Sequence, residues 1–156
     1  MRKNGSRQKW VCSVLLVLNL LFIWGNSLLP GEASSEISSG FLGYITEILG
    51  QVIPNGEYVI RKLAHFSEFA CLGLLLSWLF RLLRQQGIHL FTMPLLCGSL
   101  AALLDETIQV LTPERGPSVI DVWIDTAGVT AGILLMLLGY ALYVRRKHRT
   151  IGGNKI

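Results

Sequence analysis

Three stretches of this chain carry side chains able to hold ions or move protons, each at helical spacing. Arg61, His65 and Glu68 stand at i, i+4 and i+7, one face of a helix, with Lys62 beside them. Asp105, Glu106 and Gln109 form a second set. Asp121 and Asp125, at i and i+4, form a third, and Arg115 and Ser118 lie in the short segment between the two. An imidazole among carboxylates in a poorly hydrated pocket suits acid–base catalysis, with His65, Glu68 and Asp105 as candidate groups. Arginine grips anions bidentately, so Arg61 or Arg115 suits a phosphate or carboxylate. No nucleophile motif accompanies them; Ser67 and Ser118 qualify by position alone. Metal binding is not expected: the set offers one histidine, lacks the HExxH pattern, and places Arg61 and Lys62 where they would repel a cation. No cofactor is expected either.

The elements that must position these residues are membrane spans. Half of the 156 residues are hydrophobic and 15% are charged, against about a quarter charged in a soluble domain; mean hydropathy is +0.50. The apolar residues gather into four runs of roughly twenty, enough to cross about 30 Å of hydrocarbon. They predict spans at about 10–29, 63–83, 90–111 and 119–144, a single domain over 10–144 between a basic leader (1–9) and a basic tail (145–156). The fold class is an all-α integral membrane four-helix bundle. In the first long connection, Ile37, Phe41, Ile45, Ile48, Leu49 and Val52 recur at helical spacing. They predict an amphipathic interfacial helix at about 36–52, broken by Pro54, Asn55 and Gly56. A competing reading of the first run is a signal peptide ending near Gly31-Glu32-Ala33. The apolar stretch is long for one, and Trp24, Asn26 and Pro30 intervene.

Ten of the fourteen basic residues fall in the leader, the 81–84 turn and the start of the tail. That asymmetry places both termini of a multi-pass membrane protein in the cytoplasm. His89 and His148 then sit on the cytoplasmic side as interfacial residues. The charged sets meet at the opposite end, near the outer surface. The rise from Arg61 to Glu68 is roughly 10 Å, so all three sets share one depth. A charge in a span costs up to about 2.5–3.5 kcal/mol at the bilayer centre, and such groups face the bundle interior and each other. The inner halves of the spans are almost purely apolar, as at Leu134–Leu138. The patch is a one-sided pocket, with no path across the membrane.

The basic residues flank apolar runs and form no folded basic face, so no nucleic-acid partner is expected. Two further readings compete with a ligand site. Arg61, Lys62 and Arg115 could neutralise the carboxylates as a salt-bridge clamp that sets helix register, although buried pairs seldom repay their desolvation. Gly128 and Gly132 extend the Asp121–Asp125 face; small residues at this spacing let a helix approach closely, within the bundle or in a homodimer. Cys12, Cys71 and Cys97 are expected to be buried small hydrophobes.

These motifs resemble those of the VanZ-like membrane proteins. Arg61-Lys62-Leu63-Ala64-His65-Phe66-Ser67-Glu68-Phe69 is similar to that family's R-K-x-x-H-x-x-E-aromatic signature, and Asp105-Glu106-Thr107-Ile108-Gln109 to its D-E-x-x-Q. Pro113-Glu114-Arg115 resembles P-x-R, and Asp121 through Gly132 resembles D-x-x-x-[N/D]-x-x-G-x-x-x-G, with Asp at position 125 where many members have Asn. The resemblance spans roughly residues 10–140. It implies a bacterial envelope protein whose namesake is associated with resistance to the lipoglycopeptide teicoplanin; it implies no reaction. With the outward-facing pocket, the expected partners are membrane lipids and an amphiphile such as a lipid-linked cell-wall precursor or a lipoglycopeptide tail.

Overall fold

The computed structural model describes residues 2–49, 55–116 and 118–152. Five helices make up the fold: α1 (Arg2–Ser27), α2 (Gly31–Leu49), α3 (Gly56–Leu82), α4 (His89–Val110) and α5 (Val119–Gly152). No strand occurs among the described residues. Four stretches are long and apolar enough to cross a membrane: Gly5–Ser27, Gly56–Leu82, His89–Val110 and Val119–Lys147. The chain is a multi-pass membrane protein. The serine-rich α2 is not among the four.

Hydropathy located the spans but not the helix ends. Helix α3 starts at Gly56, well before the apolar run at Leu63, so Arg61 and Lys62 ride on its second turn. Helix α5 continues through Arg145–Lys147 to Gly152. Charged residues end an apolar run, yet Lys and Arg are good helix formers and leave the backbone ladder intact. Helix α2 starts at Gly31, directly after Pro30, and the amide of Ser34 closes its first turn on the Pro30 carbonyl (3.1 Å). The expected break at Pro54 and the apolar positions 45, 48, 49 and 52 lie outside the described residues or side chains. Asn55, in the left-handed region at φ 55°, turns the chain into α3.

Helix α3 is the hub and packs against each of the other four helices, most extensively α5. Their contact is backbone to backbone. A Cβ on Gly132 would collide with the carbonyl oxygen of Ala70, and one on Gly73 with that of Val129. Gly128 and Gly132 are therefore spent on a close contact with α3 inside the chain, the first of the two uses their spacing allows. Phe69, Leu72 and Leu75 of α3 then meet Cys12, Leu16 and Ile23 of α1, Ala101 and Ala102 of α4, and Val129 and Ile133 of α5 in one core.

The outer surface is apolar, with Leu18, Leu21, Leu100, Leu104, Trp123 and Leu135 all more than half exposed. In water that surface would be unstable; in lipid it is the solvated face. Of the three cysteines only Cys12 is buried. Cys71 and Cys97 face outward, because a residue type that suits a core suits hydrocarbon equally well.

Candidate functional site

At the end of the bundle that holds the α4–α5 loop, the three charged sets converge. Arg61, Lys62, His65, Gln109, Arg115 and Asp121 line a cavity of about 70 Å³, together with Glu114 and Gly116. Beneath it Asp105 and Asp125 are fully buried, and Glu106 nearly so. Asp105 lies in the last two turns of α4, Asp125 in the second turn of α5, and α3 brings His65 close to both. The His65 Nδ1 stands 3.9 Å from Asp105 Oδ2, an ion-pair distance when the imidazole is protonated.

Helix α1 also builds the site. Asn26 donates from Nδ2 to Glu68 Oε1 (3.0 Å), and Ser27 donates its hydroxyl to Asp105 Oδ1 (2.7 Å). Gln109, one turn beyond Asp105, donates from Nε2 to Asp105 Oδ2 (2.8 Å) and reaches the Ser27 hydroxyl at 3.3 Å. Thr112 donates to the Ser27 carbonyl (3.0 Å). The site thus comes from four helices, where three were expected. Spacing among charged residues does not bring in Asn26 and Ser27, which are uncharged and close the first apolar run. Two adjacent polar residues closing an apolar run, at the depth of the other sets, were the available signal.

The α4–α5 loop is tied to the same corner. Arg115 donates from Nε to the Leu29 carbonyl (3.1 Å) and through its terminal guanidinium nitrogen to the Asn26 carbonyl (2.9 Å). The Gly31 amide meets the Pro113 carbonyl (3.3 Å), and the Glu32 amide meets Glu114 Oε2 (3.3 Å). Burial, and next the neighbouring Arg61, pull the Arg115 guanidinium below its ordinary value, while Asp105, Glu106 and Glu68 pull it back. It stays a cation in any case. The Ser118 amide donates to Glu106 Oε2 (2.8 Å), while its hydroxyl accepts from the Ile120 amide (3.2 Å) and caps α5. Ser67 turns away: it is exposed and donates to Ala64 O of its own helix. Neither serine is presented as a nucleophile.

The expected salt-bridge network reduces to one Lys or Arg pair. Lys62 pairs with Asp121, and Arg115 spends its guanidinium on backbone carbonyls. Among the described residues, no Lys or Arg pairs with Asp105, Glu106 or Asp125. Both oxygens of Asp125, together with Glu68 Oε2 and Glu106 Oε1, are buried with no hydrogen-bond partner. One nitrogen of His65 and one oxygen each of Asp105 and Asp125 lie within 4.8 Å of one another, the spread of a group that could hold a metal ion. The spacing along the chain hid this group, since its members come from three helices.

On the membrane side of α3 lies a different space. Ile37, Ser38 and Phe41 of α2 face Ile60, Leu63, Ala64, Phe66 and Ser67 of α3 across an apolar groove of about 670 Å³. A family model described as VanZ/LLP1 matches residues 8–141, which takes in every residue of the polar site. No curated protein and no solved structure is detectably similar to the chain.

Proposed function

Because the chain belongs to the VanZ/LLP1 family, we propose that it is an envelope protein of the bacterial cytoplasmic membrane that engages an amphiphile at the outer leaflet. The observation that supports this reading is the division of α3 between two spaces. Arg61, Lys62 and His65 enter the polar cavity, while Ile60, Leu63 and Ala64, on the same two turns, line the apolar groove. An anionic head group would meet Arg61 and Arg115 while its acyl or isoprenoid chain lay along α2. The excess of basic residues at the other end supports an orientation with this pole outside. Ligands of that form include lipid-linked cell-wall precursors and lipoglycopeptides such as teicoplanin.

Expression in a glycopeptide-sensitive bacterium tests the reading. The wild-type chain is expected to raise teicoplanin tolerance, and alanine at Arg61, His65, Glu68, Asp105 or Asp121 to abolish it at equal abundance in the membrane. Undiminished tolerance in all five variants would overturn it.

A second reading, an intramembrane hydrolase or transferase acting on an envelope lipid, is favoured by the imidazole of His65 held beside Asp105. Purified protein incubated with envelope lipids would then yield a product detectable by mass spectrometry and lost in His65→Ala.

A further inference from the structure

We propose that His65, Asp105 and Asp125 form a binding site for a single divalent transition metal ion, Zn²⁺ or Mn²⁺, at the floor of the polar cavity.

The geometry comes first. Three helices bring one nitrogen and two carboxylate oxygens within 4.8 Å of one another. Ligands about 2.0–2.2 Å from zinc stand roughly 3.5 Å apart, so closure of about 1 Å, within the reach of side-chain torsions, completes the set. The His65–Asp105 pair, at 3.9 Å, is nearly there.

The second observation is Asp125 itself. It is 0% exposed, and neither of its carboxylate oxygens has a hydrogen-bond partner among the described residues. A carboxylate withdrawn from water needs a counter-charge or donors, and bare burial is among the most costly arrangements a fold can hold. Here the neighbours are further carboxylates, Asp105 and Glu106, the latter with its own Oε1 unpartnered. A cation held between Asp125, Asp105 and His65 would supply the counter-charge that Asp125 lacks.

The basic side chains nearby do not occupy that position. Lys62 is committed to Asp121, and Arg115 to the carbonyls of Asn26 and Leu29. Asp105 already has the outer support that ligating carboxylates need, from the Ser27 hydroxyl on Oδ1 and the Gln109 amide on Oδ2. Val129 and Ile133, one and two turns further along α5 from Asp125, are completely buried in the apolar core. Above, His65 lines the cavity and provides the way in. One imidazole with carboxylate oxygens selects a borderline metal over calcium, which takes six to eight oxygens.

This site does not rest on the amphiphile reading. Metal binding concerns the buried triad, whereas head-group recognition also needs Arg61, so Arg61→Ala separates the two: it should lose tolerance and keep the metal. Detergent-purified protein, stripped with chelator, is titrated with ZnCl₂ and MnCl₂ by calorimetry, and bound metal is measured after gel filtration. The expected result is about one equivalent of one of these ions per chain. That binding should be lost in Asp125→Asn and His65→Gln and retained in Asp121→Asn. No retained metal in the wild type overturns the proposal, as does equal retention in Asp125→Asn. Should the variants fail to fold, X-ray absorption of the loaded wild type decides. Nitrogen and oxygen donors alone support the site; sulfur donors place the metal on a cysteine and overturn it.

Discussion

Ser27, the last residue of α1, donates a 2.7 Å hydrogen bond to Asp105, which lies 78 positions later and is completely buried. The same hydroxyl oxygen is reached by Gln109. A helix end, a carboxylate and a carboxamide therefore fix one another's orientation. Truncating the hydroxyl leaves a buried acceptor short of a donor, which costs about 1–3 kcal/mol. Ser27→Ala is expected to lower the thermal unfolding midpoint in detergent, with Ser27→Thr recovering most of the loss. The double variant with Gln109→Ala should destabilise by less than the sum of the singles, since the Gln109–Ser27 hydrogen bond is already lost in either one.

The closeness of α3 and α5 makes a sharper prediction about position. Gly132→Ala places a methyl group against the Ala70 carbonyl, which cannot swing aside as a side chain would. Overpacking of this kind costs about 1–3 kcal/mol, more where backbone must move. Gly139, further along the same helix, has open space around a Cβ. Gly139→Ala should be neutral or stabilising by up to about 1 kcal/mol, because alanine is the better helix former. Unfolding of the two single variants, measured side by side, checks the contrast.

The Lys62–Asp121 pair joins α3 to the first turn of α5, with both side chains less than one-fifth exposed. Lys62→Asp should cost about 2 kcal/mol, the worth of a charged hydrogen bond plus new repulsion. Adding Asp121→Lys should restore much of it. The charge-reversed double variant thereby tests whether this contact is electrostatic clamping or only helix packing.

Orientation can be read by labelling. In a chain whose three cysteines are replaced by alanine, Glu114→Cys should react with a membrane-impermeant maleimide in intact cells. Gln86→Cys, exposed in the turn at the other end, should react only after permeabilisation. The reverse pattern would place the polar site in the cytoplasm.

Much of this was legible in the residues. Hydropathy marks the four spans because twenty apolar residues have few other uses, and the matching depth of Glu68, Asp105 and Asp125 followed from span direction alone. Hydropathy alone ends a span where charge interrupts the apolar run, although the helix continues, as it does beyond Arg145 to Gly152. Pairings were not legible at all. Which cation meets which carboxylate depends on helix rotation, so Lys62 could be matched to Asp121, and Arg115 to backbone carbonyls, only in three dimensions. The single histidine argued against a metal when counted along the chain. In three dimensions two carboxylates from other helices stand near that histidine, in a group that could hold an ion.

The contribution of α1 also sets a timetable for biogenesis. Asn26 and Ser27 enter the membrane with α1, while Asp105 and Asp125 arrive later, on α4 and α5. At about 5–20 residues per second, the ribosome delivers Asp105 roughly 4–16 s after Ser27. Glu68, whose donor in the finished fold is Asn26, enters well before the other acids, and Glu106, Asp121 and Asp125 must follow Asp105 before the site is complete. The half-made protein carries polar groups in lipid without their final partners, so insertion of this small chain is a natural point for assistance or quality control.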